Sequence, residues 1–230
     1  MSRTPGTRTS TEVAAAFLVP AALLGLLFLF VPGLDLAFTE LFYSPSGGFT
    51  QNGALWERLL YESVDWIVGA AVVGSLAVLL SDAFRKGPFR RRGRVAALLL
   101  VVIAIGPGLI VNGVLKEHWG RARPRDVTQF GGDKQFTPAL VIADQCERNC
   151  SFSAGHPSAG FALSALGYAY LSRRRRWAVI VGATGFGLLV GLARVAAGGH
   201  FLSDVLFSGL IVVGLAVVLG NRWIGSPQEP

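Results

Sequence analysis

The chain has 230 residues, 52% of them hydrophobic and only 15% charged, with 21 Lys and Arg against 14 Asp and Glu. That composition is far from an average soluble domain, and its apolar residues fall in long blocks, which indicates a polytopic membrane protein. The net charge of +7 does not point to nucleic acid, because most of the cations flank the apolar blocks.

In chain order, residues 1–12 read as a polar, disordered tail and residues 222–230 as a second tail. Residues 13–221 form one domain, expected to be an all-α bundle of six transmembrane helices over 13–33, 63–82, 95–115, 157–172, 177–193 and 204–221. Several of these are short for a hydrocarbon core of about 30 Å. Pro20 and Gly106-Pro107-Gly108 predict kinks inside two of them, where neighbouring helices can satisfy the freed backbone groups. The run from Val13 to Val31 is long enough to span, and no small-residue cleavage site follows it, so it does not read as a signal peptide.

Lys and Arg in the short connections set the orientation. Arg3, Arg8, Arg85, Lys86, Arg90, Arg91, Arg92, Arg94, Arg173 to Arg176 and Arg222 share one side, thirteen of the 21 cations. That side is expected to be cytoplasmic, with both termini inside, and the arginine runs need no further role. Three segments then face outward: 34–62, 116–156 and 194–203. The first contains Leu55 to Tyr61, which reads as a short interfacial helix. Cys146 and Cys150 lie in the second, where an oxidising compartment permits a disulfide between them. That loop does not supply four zinc ligands, so the cysteines read as structural, whether free or bonded.

Three polar clusters stand out at the outward side. In the first, Lys116-Glu-His-Trp-Gly-Arg-Ala-Arg-Pro124, a helix running past Leu115 would put Lys116 and Arg123 two turns apart on one face, about 10 Å along the axis. Both cations run against the positive-inside trend, and both read as anion ligands; that reading does not extend to Arg121 or Arg125. The second cluster, Cys150-Ser-Phe-Ser-Ala-Gly-His-Pro-Ser158, places Gly155 and His156 at a helix start ahead of Pro157. Amide groups there suit phosphate, and Gly155 permits close approach. In the third, Arg194 is followed by His200 and Asp204. A four-residue separation puts the last two on one helical face, where the carboxylate can fix the imidazole tautomer. Phosphate answers all three clusters. No group of acidic ligands accompanies them, which argues against a magnesium or two-metal hydrolase.

Lys116-x6-Arg123-Pro124, Ser153-Ala-Gly155-His156 and Arg194-x5-His200-x3-Asp204 together resemble the type 2 phosphatidic acid phosphatase superfamily, and the six spans resemble its membrane-bound bacterial branch. The resemblance implies a helical bundle with its site at the outer surface of the inner membrane, and phosphatase chemistry with no metal and no cofactor. It also implies roles: His200 as nucleophile forming a phosphohistidine, Asp204 orienting it, and His156 as general acid. Lys116, Arg123, Arg194 and the Gly155 amide would hold the phosphoryl oxygens. Two departures stand against it. Ser153-Ala154 replaces the usual Pro-Ser, and Ala193 replaces the Ser that usually precedes the arginine. Each removes at most one hydrogen bond to a charged group, on the order of 1.5–3 kcal/mol.

The implied partner is a phosphorylated membrane lipid, and the implied reaction is hydrolysis of a monoester or diphosphate. The loop from Arg125 to Cys150 resembles that of lipid A phosphatase-like members. Undecaprenyl diphosphate and phosphatidylglycerophosphate are alternative substrates. A non-catalytic lipid-phosphate binding or transport protein on the same scaffold is the rival class.

Overall fold

The computed structural model describes residues 10–85 and 90–225, with side chains from Phe17 onward in the first helix. Lys86 and most of both expected tails lie outside the described residues. Helix α1, Ser10–Phe30, begins ahead of the expected position 13 and carries Pro20 without ending. The chain turns by 82° at Val31-Pro32 and continues as α2, Gly33–Glu40. An antiparallel pair of two-residue strands follows, β1 (Tyr43–Ser44) and β2 (Gly48–Phe49); with an isolated bridge between Val127 and Lys134 it departs from all-α structure. Helix α3 then runs unbroken over Leu55–Ala83. The short interfacial helix expected at Leu55 to Tyr61 is therefore the first two turns of a membrane-length helix. Nothing breaks it between Tyr61 and Ser63, because that stretch lacks proline and glycine and the Ser63 hydroxyl donates back to the Leu60 carbonyl at 2.7 Å instead of capping a new helix.

Helix α4 covers Arg91–His118. Past Ile103 it widens to i→i+5 hydrogen bonding over Ala104–Leu115, the stretch holding Gly106-Pro107-Gly108. Pro107 has no N–H, so the ordinary ladder cannot close there; the wider winding replaces the expected sharp kink. The Asn112 side-chain amide donates to the Pro107 carbonyl at 2.7 Å. Helix α5, Gly155–Ala162, tightens to 3-10 winding over Leu163–Ala169. Helix α6 spans Arg173–Ala196 and α7 spans Leu202–Trp223.

Among the described residues, four helices (α3, α4, α6 and α7) are long and apolar enough to cross a bilayer, or five crossings if the bent α1–α2 pair counts as one. Their outward faces carry large apolar side chains, among them Leu23, Trp66, Val73, Leu80, Val181 and Leu189, as a lipid solvent requires. The inner faces pack Leu98, Leu99, Val102, Phe161, Val205 and Val212 into one core. Close approach at its centre depends on small residues of α6. A β-carbon on Gly187 would lie 2.3 Å from the Phe161 ring, and one on Gly191 would lie 2.2 Å from Val205. Gly187 and Gly191 are four apart on one face, the spacing that lets membrane helices meet backbone to backbone.

The run Arg173 to Arg176, expected only to orient the chain, also does structural work. Arg176 is buried, donates to the Gly225 carbonyl at 2.9 Å and sits 4.4 Å from the Tyr168 ring centroid. It fastens the start of α6 to the end of α7.

Candidate active site

The third cluster is built where α6 gives way to α7. Gly198 takes a left-handed turn (φ 68°) packed against Phe49, whose ring would meet any β-carbon there at 2.5 Å. The Gly199 N–H donates back to the Arg194 carbonyl at 2.8 Å. The turn delivers His200 in the connection just before α7, with Asp204 as that helix's third residue. His200 and Asp204 are thus not on one helical face, as the spacing predicts. The His200 Nδ1 is 2.8 Å from the Ser151 carbonyl oxygen and 3.8 Å from Asp204 Oδ2. A carbonyl only accepts, so Nδ1 carries the proton and donates it, and Nε2 keeps its lone pair. The tautomer is set by Ser151 rather than by the carboxylate. Asp204 acts at one remove: its Oδ2 accepts from the Ser151 hydroxyl and from the Phe201 N–H at 2.8 Å. Burial pushes the His200 imidazole down to about 4, outweighing the opposing pull of Asp204. Its outer nitrogen is therefore unprotonated through the neutral range.

The second cluster meets the third through backbone. The Ala154 N–H reaches the Asp204 carbonyl at 3.3 Å, and the Ser208 hydroxyl donates to the Ala154 carbonyl at 3.0 Å. These bonds set the start of α5 beside His200. Gly155 is buried there, and a β-carbon on it would lie 2.6 Å from Asn112 Oδ1 and 3.4 Å from Lys116 Nζ. His156 follows, half-buried, its ring stacked on Tyr61 with centroids 4.0 Å apart. Burial lowers the His156 pKa, and Arg194, Lys116 and Arg123 push it the same way while Asp65 opposes them. Lys116 and Arg123 also bear on His200. Both histidines thus sense the same cations.

The cations come from three elements. Lys116 is buried in the last turn of α4. The helix does not run on to Arg123: it ends at His118, and Gly120 turns left-handed (φ 68°), with the Ala143 carbonyl packed where a β-carbon would be. Arg123 is instead on extended backbone, held by Asn149 through its carbonyl at 2.7 Å and its side-chain oxygen at 2.9 Å. The Cys146–Cys150 disulfide closes the loop carrying Asn149, and the Cys150 N–H donates to the Lys116 carbonyl at 2.9 Å. Arg194 stands in the last turn of α6 and binds Glu57 Oε1 at 2.6 Å. The termini of α4, α5, α6 and α7 therefore bring Lys116, Gly155, His156, Arg194, His200 and Asp204 to one end of the bundle, with Arg123 on the adjoining loop. Such a set can bind a phosphoryl group, attack it with an imidazole and protonate what leaves.

Residues 95–225 match the PAP2 superfamily, which takes in every one of these residues. The chain belongs to the PAP2 superfamily. Within it, the chain falls in the lipid A phosphatase-like branch. It is 39% identical over 196 residues to a protein of Francisella tularensis subsp. novicida (strain U112) named Lipid A 4'-phosphatase, covering 80% of this chain and 84% of that one. A protein of the same name from Rhizobium leguminosarum is 31% identical over 208 residues, covering 82% and 88%. One from Rhizobium etli is 31% identical over 208 residues, covering 82% and 79%. No solved structure matches.

The PAP2 spacing leaves out five residues that the structure puts around the site. Ser151 fixes His200. Glu57 and Tyr61, at the start of α3, touch Arg194 and His156. Arg121 and Asp35 hold Asp204 from behind: Arg121 is fully buried, donating to Asp204 Oδ1, to Asp35 Oδ2 at 2.8 Å and to the Thr137 carbonyl at 2.8 Å. Asp35 also accepts from the Ser203 N–H at 2.9 Å. Arg121 is thus a structural cation with no free donor face for a ligand. Ser153, one of the three residues that depart from the PAP2 pattern, is fully buried, and its hydroxyl has no partner among the described residues.

Proposed function

We propose that this PAP2 phosphatase removes a phosphate monoester from a lipid A-type glycolipid through a phosphohistidine at His200. The observation that carries the reading is the Ser151 carbonyl on His200 Nδ1, which leaves Nε2 as a free nucleophile beside His156 and three cations. In the first step, Nε2 attacks phosphorus and the bond to the lipid oxygen breaks, while His156 donates a proton to that oxygen. In the second, His156 takes a proton from water, which attacks the phosphohistidine and releases phosphate. Lys116, Arg123, Arg194 and the Gly155 N–H hold the equatorial oxygens, where charge is redistributed in the transition state. Binding phosphate at Arg194 requires the anion to compete with Glu57. The mechanism uses no metal and no cofactor.

The remaining features of the reading concern the membrane. The chain crosses it six times, with α5 and its 3-10 extension as the sixth crossing. At ordinary helical rises the stretch from Pro157 to Ala169, past the two site residues Gly155 and His156, reaches about 23 Å, short of but near a hydrocarbon core. Both termini are cytoplasmic and the site faces outward. Support comes from the thirteen cations on the opposite side of the expected topology. A phosphorylated headgroup then meets the site at the interface while its acyl chains stay in lipid.

Detergent-purified protein assayed with lipid A, phosphatidylglycerophosphate, phosphatidic acid and undecaprenyl diphosphate tests the substrate. Phosphate release should be fastest from lipid A and unchanged by EDTA. Release from none of the four would favour the non-catalytic reading that Ala154 and Ala193 invite; preference for another lipid would move the substrate.

A further inference from the structure

Helix α3 lies outside the three motifs, yet its first turns touch the site twice. Glu57 and Tyr61 are four residues apart and share a face. Glu57, buried, holds Arg194 Nη1 at 2.6 Å, and the Gly53 N–H donates to its other oxygen at 3.3 Å. The Tyr61 ring takes the Arg194 guanidinium at 4.8 Å from its centroid and stacks on His156 at 4.0 Å, with 28° between the planes. One ring thus bears on both a phosphate-binding cation and the imidazole that would protonate the leaving group.

His156 needs such a support. Among the described residues it makes no hydrogen bond to protein, so nothing polar fixes its ring torsion. A general acid must nonetheless keep a ring nitrogen within about 2.6–3.2 Å of the leaving oxygen. An aromatic face fixes the plane of the ring and leaves both nitrogens free for proton transfer. A hydrogen-bonding support would occupy one of them.

We propose that Tyr61 is a positioning residue for His156, its ring setting the plane in which the imidazole delivers a proton to the leaving oxygen. The inference rests on the reading of His156 as the general acid. It makes the start of α3 part of the site and assigns the work to the ring rather than to the phenol hydroxyl.

The test compares Tyr61→Ala, Tyr61→Phe and His156→Ala on two substrates whose leaving groups differ. A lipid alkoxide needs a proton, whereas p-nitrophenolate leaves with little help. Tyr61→Ala should lose about tenfold in turnover of the lipid monoester. It should lose clearly less in forming phosphoenzyme from p-nitrophenyl phosphate, where only the ring's support of Arg194 is missing. Tyr61→Phe should restore the lipid activity, because it keeps the ring. Thermal unfolding in detergent, run on each variant, separates misfolding from misplacement. Equal losses on both substrates, no loss on either, or failure of Tyr61→Phe to rescue a folded protein would each overturn the proposal. His156→Ala separates the two levels of the argument. If it loses equally on both substrates, the general-acid reading falls and the Tyr61 role falls with it. If it discriminates and Tyr61→Ala does not, only the Tyr61 role is lost.

Discussion

His156→Ala should lower turnover of a lipid monoester by about 10²–10⁴, the range a positioned general acid supplies. The same variant should still be phosphorylated by p-nitrophenyl phosphate, since nitrophenolate is stable without a proton. Hydrolysis of that phosphoenzyme should be slow, because His156 also activates the water. The free-enzyme state of His156 sharpens the expectation. Burial and the three nearby cations hold its pKa below the usual value, so the imidazole is mostly neutral near pH 7 before substrate arrives. A phosphate dianion between those cations neutralises them and favours the protonated ring, so the acid is armed by the substrate it serves. Steady-state rates on both substrates, with quench measurements of phosphoenzyme, check this. A uniform loss on both substrates would assign His156 to phosphate binding instead.

Arg121→Ala should be among the most destabilising substitutions in the chain, although Arg121 never touches substrate. Its guanidinium is the shared counter-charge of Asp35 and Asp204, and all three side chains are buried. Removing it leaves two carboxylates in the interior without a cation, a loss of about 3–5 kcal/mol. That is a large part of the stability of most folded domains. The damage is not confined to stability, because Asp204 holds the Ser151 hydroxyl and Ser151 sets the tautomer of His200. Arg123→Ala is the instructive contrast: its partner is the neutral Asn149, so its loss strands no buried charge. That variant should fold normally and lose affinity for phosphate. Thermal melts in detergent should separate the two arginines; a wild-type melt and full activity for Arg121→Ala would refute the shared-counter-charge account.

The two arginines also mark how far the sequence could be read. Lys116, Arg123, Gly155, His156, Arg194, His200 and Asp204 were legible because they are polar clusters in an apolar chain, at spacings that match a known family. The helices were legible because long apolar blocks have few other solutions in a bilayer. The boundaries were less so. Leu55 to Tyr61 reads as separate because its charges suggest an interface, although no proline or glycine stops the helix there and it continues into α3. The helix expected to carry Arg123 ends at His118, ahead of the left-handed Gly120, a local stop signal that the expectation of a helix as far as Pro124 passes over. The partners that tune the site were not legible at all. Asp35 reaches Ser203 across 168 positions, and Glu57 reaches Arg194 across 137. Such pairings exist only once the termini of five helices and the α2 segment have gathered at one end.

The central claim is that phosphate passes through His200, and rapid quench tests it directly. Purified protein is mixed with 32P-labelled lipid A, stopped within milliseconds, and the label on protein is mapped. The account predicts an acid-labile, base-stable label on His200 in the wild type, more abundant in His156→Ala when p-nitrophenyl phosphate is the donor, and absent from His200→Ala. Label that persists on His200→Ala, or that maps to His156, would contradict it even if phosphate is still released.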